Sequence, residues 1–296
     1  MLAIVKRRVH GAAPMLLPMR TPPVLETGSD HALQFHIPHA EPPPGGFPLV
    51  WLLDAPTTWA PMRHALDESG SADSIAVVGI GWEGEGPVDQ GRRRRDFTLP
   101  AASEVPGPRG GGEWGHDGDC GGFLELLAGT LQPRAVDMLP VDPRRQVLVG
   151  HSLSGLFALH ALMTGAGTFA GYVAASPSIW WDDARILDAA RSADWSHAAG
   201  ARVLVTVGSE EQRVGPERPA SVAGEDAAAT LGEPHMVDNA SLFAELLRSR
   251  AVDCRFELFE GEGHGTMLPF AMAAAVELVG ALPATGTGPA TPPPGA

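Results

Sequence analysis

Lysine is nearly absent from this chain of 296 residues: Lys6 is the only one, so positive charge is almost all arginine. The formal net charge is −14, which argues against nucleic acid as a partner, because recognising a polyphosphate needs a basic surface. Cysteine is almost as scarce. Cys120 and Cys254 are too few for a disulfide framework, and neither lies in a metal-ligand spacing. Cys254 reads as a packed strand residue and Cys120 as a loop residue. There is no run of about eighteen apolar residues, so no membrane span is expected. The N-terminus places Lys6, Arg7 and Arg8 after the apolar Met1 to Val5, the reverse of a secretory signal. A soluble cytoplasmic protein is the expectation. What is plentiful is apolar side chain, at 44% of residues, enough for a substantial core.

Strand-like runs alternate with helix-like segments. Strands are expected at Ala32 to Ile37, Leu49 to Leu53, Ile75 to Ile80, Val147 to Val149, Tyr172 to Ala175, Val203 to Val207 and Phe256 to Phe259. Helices are expected at Thr58 to Leu66, Gly122 to Leu139, Leu153 to Met163, Ala184 to Ala190, Ala240 to Arg248 and Pro269 to Leu282. This alternation predicts an α/β fold, a mainly parallel twisted sheet with helices on both faces. The earliest strands are free to pair antiparallel, as mixed sheets allow. A single domain is expected over residues 1–283, with 284–296 as a disordered tail poor in apolar groups. Trp82 to Trp114, rich in glycine, proline and charge, reads as a long irregular loop and a candidate lid.

Chemistry enters at Gly150-His151-Ser152-Leu153-Ser154-Gly155. An apolar run, Gln146 to Val149, precedes it, and a helix-like stretch, Leu156 to Ala161, follows. Strand, tight turn with a serine, and helix make a nucleophile elbow, which lifts the hydroxyl above the sheet. Ser154 stands where the second glycine of the usual pattern would be, and Gly155 follows it. A serine hydroxyl needs a base within hydrogen-bond reach. In this fold type the chain order is serine, acid, histidine. His264 fits the last place, because it follows the final strand in Gly261-Glu262-Gly263-His264-Gly265, where the glycines let a loop fold back. His151 adjoins Ser152, but neighbours in a tight turn point apart, so it is expected to pack beside the elbow. His116 and His235 read as solvated loop residues.

For the acid, Ser209-Glu210-Glu211 follows the strand-like Ala201 to Gly208. Glu211 is favoured for its greater reach, and Glu210 is the runner-up. Two solvated glutamates, or a Ser-His pair without an acid, stay open, with Asp182, Asp183 and Asp238 as outside candidates. The oxyanion hole needs two backbone N–H groups, and Leu153 and Ala55 are the choices. Asp54 either braces the Ala55 loop or is an ordinary turn aspartate.

Several stretches combine into a resemblance: Leu52-Leu53-Asp54, Arg94-Arg95-Asp96-Phe97-Thr98, Gly121-Gly122-Phe123-Leu124, the elbow, Ser176-Pro177-Ser178-Ile179-Trp180-Trp181, and Gly261 to Gly265. The chain resembles the esterase family of α/β-hydrolases, and within it the trilactone siderophore esterases that act on bacillibactin or enterobactin. The resemblance implies the α/β-hydrolase fold, Ser152 as nucleophile and His264 as base. It supports the glutamate only loosely, since some members work as dyads. It implies a small-molecule ester substrate, with a ferric catecholate trilactone as the candidate, opened inside the cell to release iron. Such a substrate is anionic, so Arg94 or Arg95 is expected to face it, while Arg92 and Arg93 are expected to be solvated. Trp180 and Trp181 either offer flat surfaces to aromatic rings or pack in the core or lid. No metal, cofactor, nucleic acid or membrane is called for. Two alternatives remain: a carboxylesterase for S-formylglutathione, an acylated sugar or a polyketide ester, and a non-catalytic binding protein on a hydrolase fold.

Overall fold

The computed structural model describes residues 3–5, 24–26, 30–83, 89–102, 117–165, 169–212 and 235–284. Its strands are β1 (Ala3–Val5), β2 (Val24–Glu26), β3 (His31–His36), β4 (Phe47–Leu52), β5 (Ala76–Trp82), β6 (Val141–His151), β7 (Gly171–Ala175), β8 (Arg202–Gly208) and β9 (Asp253–Phe259). They form one nine-stranded sheet in the order β1-β9-β8-β7-β6-β4-β5-β3-β2. From β5 through β4, β6, β7 and β8 to β9 every pairing is parallel. β3 pairs antiparallel with β5, and β2 antiparallel with β3, the arrangement left open for the earliest strands. Every expected strand is present. β1 and β2 were not foreseen, because three residues are too few to show a periodicity.

The helices are α1 (Ala55–Glu68), α2 (Gln90–Phe97), α3 (Cys120–Leu126), α4 (Gln132–Met138), α5 (Leu153–Thr164), α6 (Trp181–Ser192), α7 (Met236–Ser249) and α8 (Met267–Gly280). A π-helical turn, Leu127–Leu131, joins α3 to α4 within the single helix expected there. Pro133 lies just beyond it and lacks the N–H that a regular helical ladder would need. None of the helices among the described residues is long and apolar enough to cross a membrane.

Alternation along the strands builds two cores. Val50, Val77, Val149, Val173 and Leu204 meet Met62 and Leu66 of α1 and Met272 and Val279 of α8 on one face. Trp51, Val78, Leu148, Tyr172 and Val205 meet Phe97, Phe123, Phe157 and Phe243 of α2, α3, α5 and α7 on the other. Period-two alternation sends neighbouring side chains to opposite faces, so central strands between two helical layers are apolar throughout. β4 and β7 are buried at every position for this reason. α5, behind the elbow, is buried around nearly its whole circumference.

The stretch from Trp82 to Trp114 is not irregular throughout, because it contains α2. The Asp89 carboxylate caps this helix by accepting the Arg92 N–H at 3.0 Å. Phe97 closes it, with its ring 5.7 Å from Phe123 and 5.9 Å from Phe157. The four arginines of α2 are largely spent on protein partners. Arg92 donates to the Glu83 carbonyl at 3.0 Å. Arg93 grips both carboxylate oxygens of buried Asp54 at 2.9 Å. Both were expected to be solvated; Arg93 is not, because buried Asp54 takes it, whereas Arg92 keeps 31% of its side chain exposed. Arg95, one of the two arginines of which either was expected to face substrate, binds Asp96 at 2.7 Å and Asp30 at 2.7 Å. Residues 84–88 and 103–116, with His116 and most of the expected lid, lie outside the described residues, as does the tail beyond Ala284.

Both cysteines are buried. Cys120 opens α3 rather than lying in a loop, because its short side chain fills the apolar layer beside α2. Desolvation pushes both thiols up to about 12, so neither forms a thiolate at neutral pH.

Asp96 ties β3, β5 and α2 together. Its carboxylate accepts the Trp82 indole N–H at 2.6 Å and lies 2.8 Å from His31 Nε2. Burial acts to raise its pKa, but hydrogen bonds from His31, Arg95 and Trp82 outweigh burial and hold it below the ordinary carboxylate value. A carboxylate depressed on folding stabilises fully above its unfolded pKa of about 3.9, and that contribution is lost as pH falls through the lower folded value. Asp96→Asn should therefore cost about 3 kcal/mol at pH 7. The gap from the parent protein should narrow as the medium is acidified below about pH 4. Urea unfolding at neutral and acidic pH measures both, and a gap that ignores pH would show that charge on Asp96 is not what holds α2.

Candidate active site

β6 runs into α5 through Ser152, whose backbone lies at φ 64, ψ −119. A non-glycine residue there is strained, and small neighbours must make room. A Cβ on Gly150 would lie 2.1 Å from the Ser154 carbonyl oxygen. One on Gly155 would lie 2.9 Å from the Ala175 carbonyl oxygen and 3.2 Å from Pro177 Cα. Gly155, not residue 154, is therefore the small residue that lets α5 approach β7. Ser154 has a different task. Its hydroxyl accepts the His151 N–H at 2.9 Å and reaches Asp54 Oδ2 at 2.9 Å and the His151 carbonyl at 2.8 Å. The elbow is thereby stitched to the end of β4.

Asp54 is more than a turn residue. It takes a left-handed conformation, φ 56 and ψ 42, immediately before Ala55 at the start of α1. Its carboxylate is held by Arg93 and Ser154. Ala55 and Leu153 are the first residues of α1 and α5, so their amides have no intrahelical acceptor. These are the two amides expected to form an oxyanion hole, and one hydrogen-bond network sets the backbone of both turns.

His264 lies between β9 and α8, at the same end of the sheet as Ser152. Its Nδ1 is 2.5 Å from Glu211 Oε2. Glu211 ends a short 3₁₀ turn after β8, and its side chain is 1% exposed. The other carboxylate oxygen accepts the Ser176 hydroxyl at 2.6 Å and the Gly208 N–H at 2.8 Å. Glu210 turns out to solvent while its amide donates to the Glu262 carbonyl, so the runner-up acid is displaced. The outside candidates are engaged elsewhere: Asp182 with the Ala102 amide and Arg185, and Asp238 with Gln212. Asp183 is exposed. His235 starts α7, 3.8 Å from Asp238.

His151 packs beside the elbow as expected. Its ring is 4.6 Å from that of His264, and its Nε2 lies 2.9 Å from the His264 carbonyl. It thus braces the loop that brings the imidazole over the sheet. The Ser152 hydroxyl lies 3.2 Å from the Ser178 hydroxyl, and among the described residues no hydrogen bond joins it to His264. Such bonds are often long without substrate and tighten when it binds.

Arg94 is the arginine of α2 with fewest obligations. It sits 5.9 Å from the centre of the Trp181 ring, with an ion pair at 3.4 Å to exposed Asp117. Trp181 is buried in the core, and Trp180 is half-buried at the start of α6 with its ring 6.0 Å away. Sequence reasoning gave no role to Ser176 or Ser178, although both lie in the Ser-Pro-Ser-Ile-Trp-Trp stretch. Their roles depend on contacts with residues distant in the chain.

The chain matches the family described as Putative esterase over residues 25–265. It is 32% identical over 253 residues to the ferri-bacillibactin esterase BesA of Bacillus subtilis, with 81% of each chain covered. It is 34% identical over 229 residues to a siderophore enterobactin esterase of Emericella nidulans, covering 73% of this chain and 75% of that one. Among solved structures, the siderophore hydrolase EstA from Aspergillus nidulans superposes with a TM-score of 0.70 at 25% identity, over 92% of this chain and 98% of that one. The family match takes in the elbow, the carboxylate-bound histidine and the strands that carry them. The chain belongs to the Putative esterase family, carboxylic ester hydrolases with the α/β-hydrolase fold.

Proposed function

We propose that this ester hydrolase works through an acyl-enzyme on Ser152 and acts on cyclic catecholate trilactone siderophores. The observation behind the mechanism is the 2.5 Å contact between His264 Nδ1 and Glu211, beside a serine in an elbow. Glu211 fixes the tautomer with the proton on Nδ1 and leaves Nε2 free as a base. Ser152 Oγ attacks the ester carbonyl carbon while His264 takes its proton. The Leu153 and Ala55 amides hold the oxyanion that forms on the carbonyl oxygen. The tetrahedral intermediate collapses, the ester C–O bond breaks, and His264 returns the proton to the leaving alkoxide. Water then attacks the acyl-enzyme by the same steps and frees the acid and Ser152.

For the substrate class, support comes from the relatives, whose names are those of siderophore esterases, and from the α2 and α6 surface. Arg94 against Trp181 offers a guanidinium for anionic catecholate oxygens, and half-buried Trp180 an aromatic face. Iron arrives with the substrate as cargo. The reading places the reaction in the cytoplasm, where opening the ring would help release the metal, and in one domain spanning residues 1–283.

Ser152→Ala should abolish hydrolysis of p-nitrophenyl butyrate and labelling by a fluorophosphonate probe without lowering the melting temperature. Undiminished turnover would refute the nucleophile. Glu211→Gln should lower kcat by about 10³- to 10⁴-fold, because an amide cannot hold the imidazole in the productive tautomer. An unchanged kcat would reduce the site to a Ser-His pair. For the substrate, kcat/KM is compared for ferric and iron-free cyclic trilactones, their linear trimers, and S-formylglutathione. The cyclic trilactone should lead the panel, and preference for a simple acyl ester would overturn this choice.

A further inference from the structure

One turn touches both ends of the proposed relay. At Ser176 it holds the acid, since the Ser176 hydroxyl donates to Glu211 Oε1 at 2.6 Å. At Ser178 it meets the nucleophile twice: the Ser178 amide donates to the Ser152 carbonyl at 3.0 Å, and the two hydroxyl oxygens lie 3.2 Å apart. The turn is rigid. Ser176 is held at φ 41, and its amide donates to the Thr206 carbonyl at 2.7 Å. Pro177 is pressed against α5 at Gly155. Ser178 itself is 2% exposed.

We propose that Ser178 is a catalytic hydroxyl, a hydrogen-bond donor to Ser152 Oγ that stabilises the charge developing there. The inference rests on the serine-esterase reading. Its logic is a count of hydrogens. Ser152 Oγ has one hydrogen, and attack requires that it pass to His264. If Ser152 donated to Ser178, that hydrogen would point away from the base. In the reactive arrangement the bond must therefore run from Ser178 to Ser152. A donor there favours the alkoxide-like oxygen as His264 removes the proton. It does so again in deacylation, when Ser152 Oγ departs from the tetrahedral intermediate. No bond to Ser178 is made or broken, and its proton stays on its own oxygen. The oxyanion amides act on the carbonyl oxygen of the substrate, whereas Ser178 acts on the attacking and leaving oxygen of the enzyme.

The test uses the full chain and two variants, Ser178→Ala and Ser178→Cys. Alanine removes the donor and its volume; cysteine fills the space with a somewhat larger group and leaves only a weak donor. Thermal melting establishes folding, and steady-state hydrolysis of p-nitrophenyl butyrate is measured beside the rate of fluorophosphonate labelling at Ser152. Both variants should lose about 100-fold in kcat and in labelling rate, with KM little changed. If the role were only to fill space, cysteine would restore the parent rate, and that result overturns the proposal. Parent-like rates in alanine overturn it too. Should alanine fail to fold, cysteine decides alone. Failure of the parent protein to label at Ser152 would instead defeat the serine-esterase reading, so the two failures are distinct.

Discussion

The site depends on backbone strain held at the ends of adjacent strands. Ser152 after β6, Asp54 after β4 and Ser176 after β7 all have positive φ, at 64°, 56° and 41°. Each such residue costs on the order of 1–3 kcal/mol and persists only when its surroundings over-determine it. Here they do. The Ser152 amide donates to the Ala175 carbonyl at 3.0 Å, Asp54 is held by Arg93 and Ser154, and Ser176 is tied to Thr206 and Glu211. Abrupt turns at these strand ends set the polar groups at one edge of the sheet, with Ser152 partly exposed and Asp54 and Ser176 buried behind it. Regular backbone would have carried the same residues into the helices or strands.

These strained turns are coupled. Asp54 and Ser154 are 100 residues apart, yet their bond joins the turn before Ala55 to the turn before Leu153. The spacing of the two proposed oxyanion amides is therefore set by side chains, with Arg93 holding the Asp54 carboxylate from the far side. A glycine at position 154 would still allow the elbow to form, because Gly155 supplies the close approach to β7. It would remove the link to β4. The departure from the usual elbow pattern is thus a structural component rather than a neutral exchange.

What the sequence reveals follows from the range of the interactions involved. The elbow was legible because strand, turn and helix are local and their signals contiguous. Glu211 and His264 were legible because strand ends lie on one edge of a parallel sheet, so chain order predicts which loops meet. Choosing Glu211 over Glu210 rested on reach, and the choice agrees with the burial of its carboxylate beside Ser176. α2 was missed because a short helix of mostly arginine shows no apolar period; its signals were the cap at Asp89 and the closing Phe97. The pairings of Arg93, Arg95 and Ser178 were beyond reach, since each partner is distant in sequence and no pattern within a window records it.

Charge separates recognition from chemistry in this fold. The net charge of −14 would oppose the anionic substrate proposed here at long range, but salt screens that field within about 8 Å. Attraction must then come from cations at contact distance. Asp54 takes Arg93, Asp30 and Asp96 take Arg95, and Arg92 leans on Glu83, Asp30 and Asp89. Arg94 differs, because its acidic partner is exposed and its Nε is buried without a hydrogen-bond partner among the described residues. Three arginines therefore tie α2 to its acidic neighbours, and the fourth, Arg94, lies between the Trp181 ring and Asp117. On the proposed contacts of Arg94 and Trp180 with substrate, changes there would retune which ester is bound, while Ser152, His264 and Glu211, held from the strand ends by other residues, would keep the same arrangement.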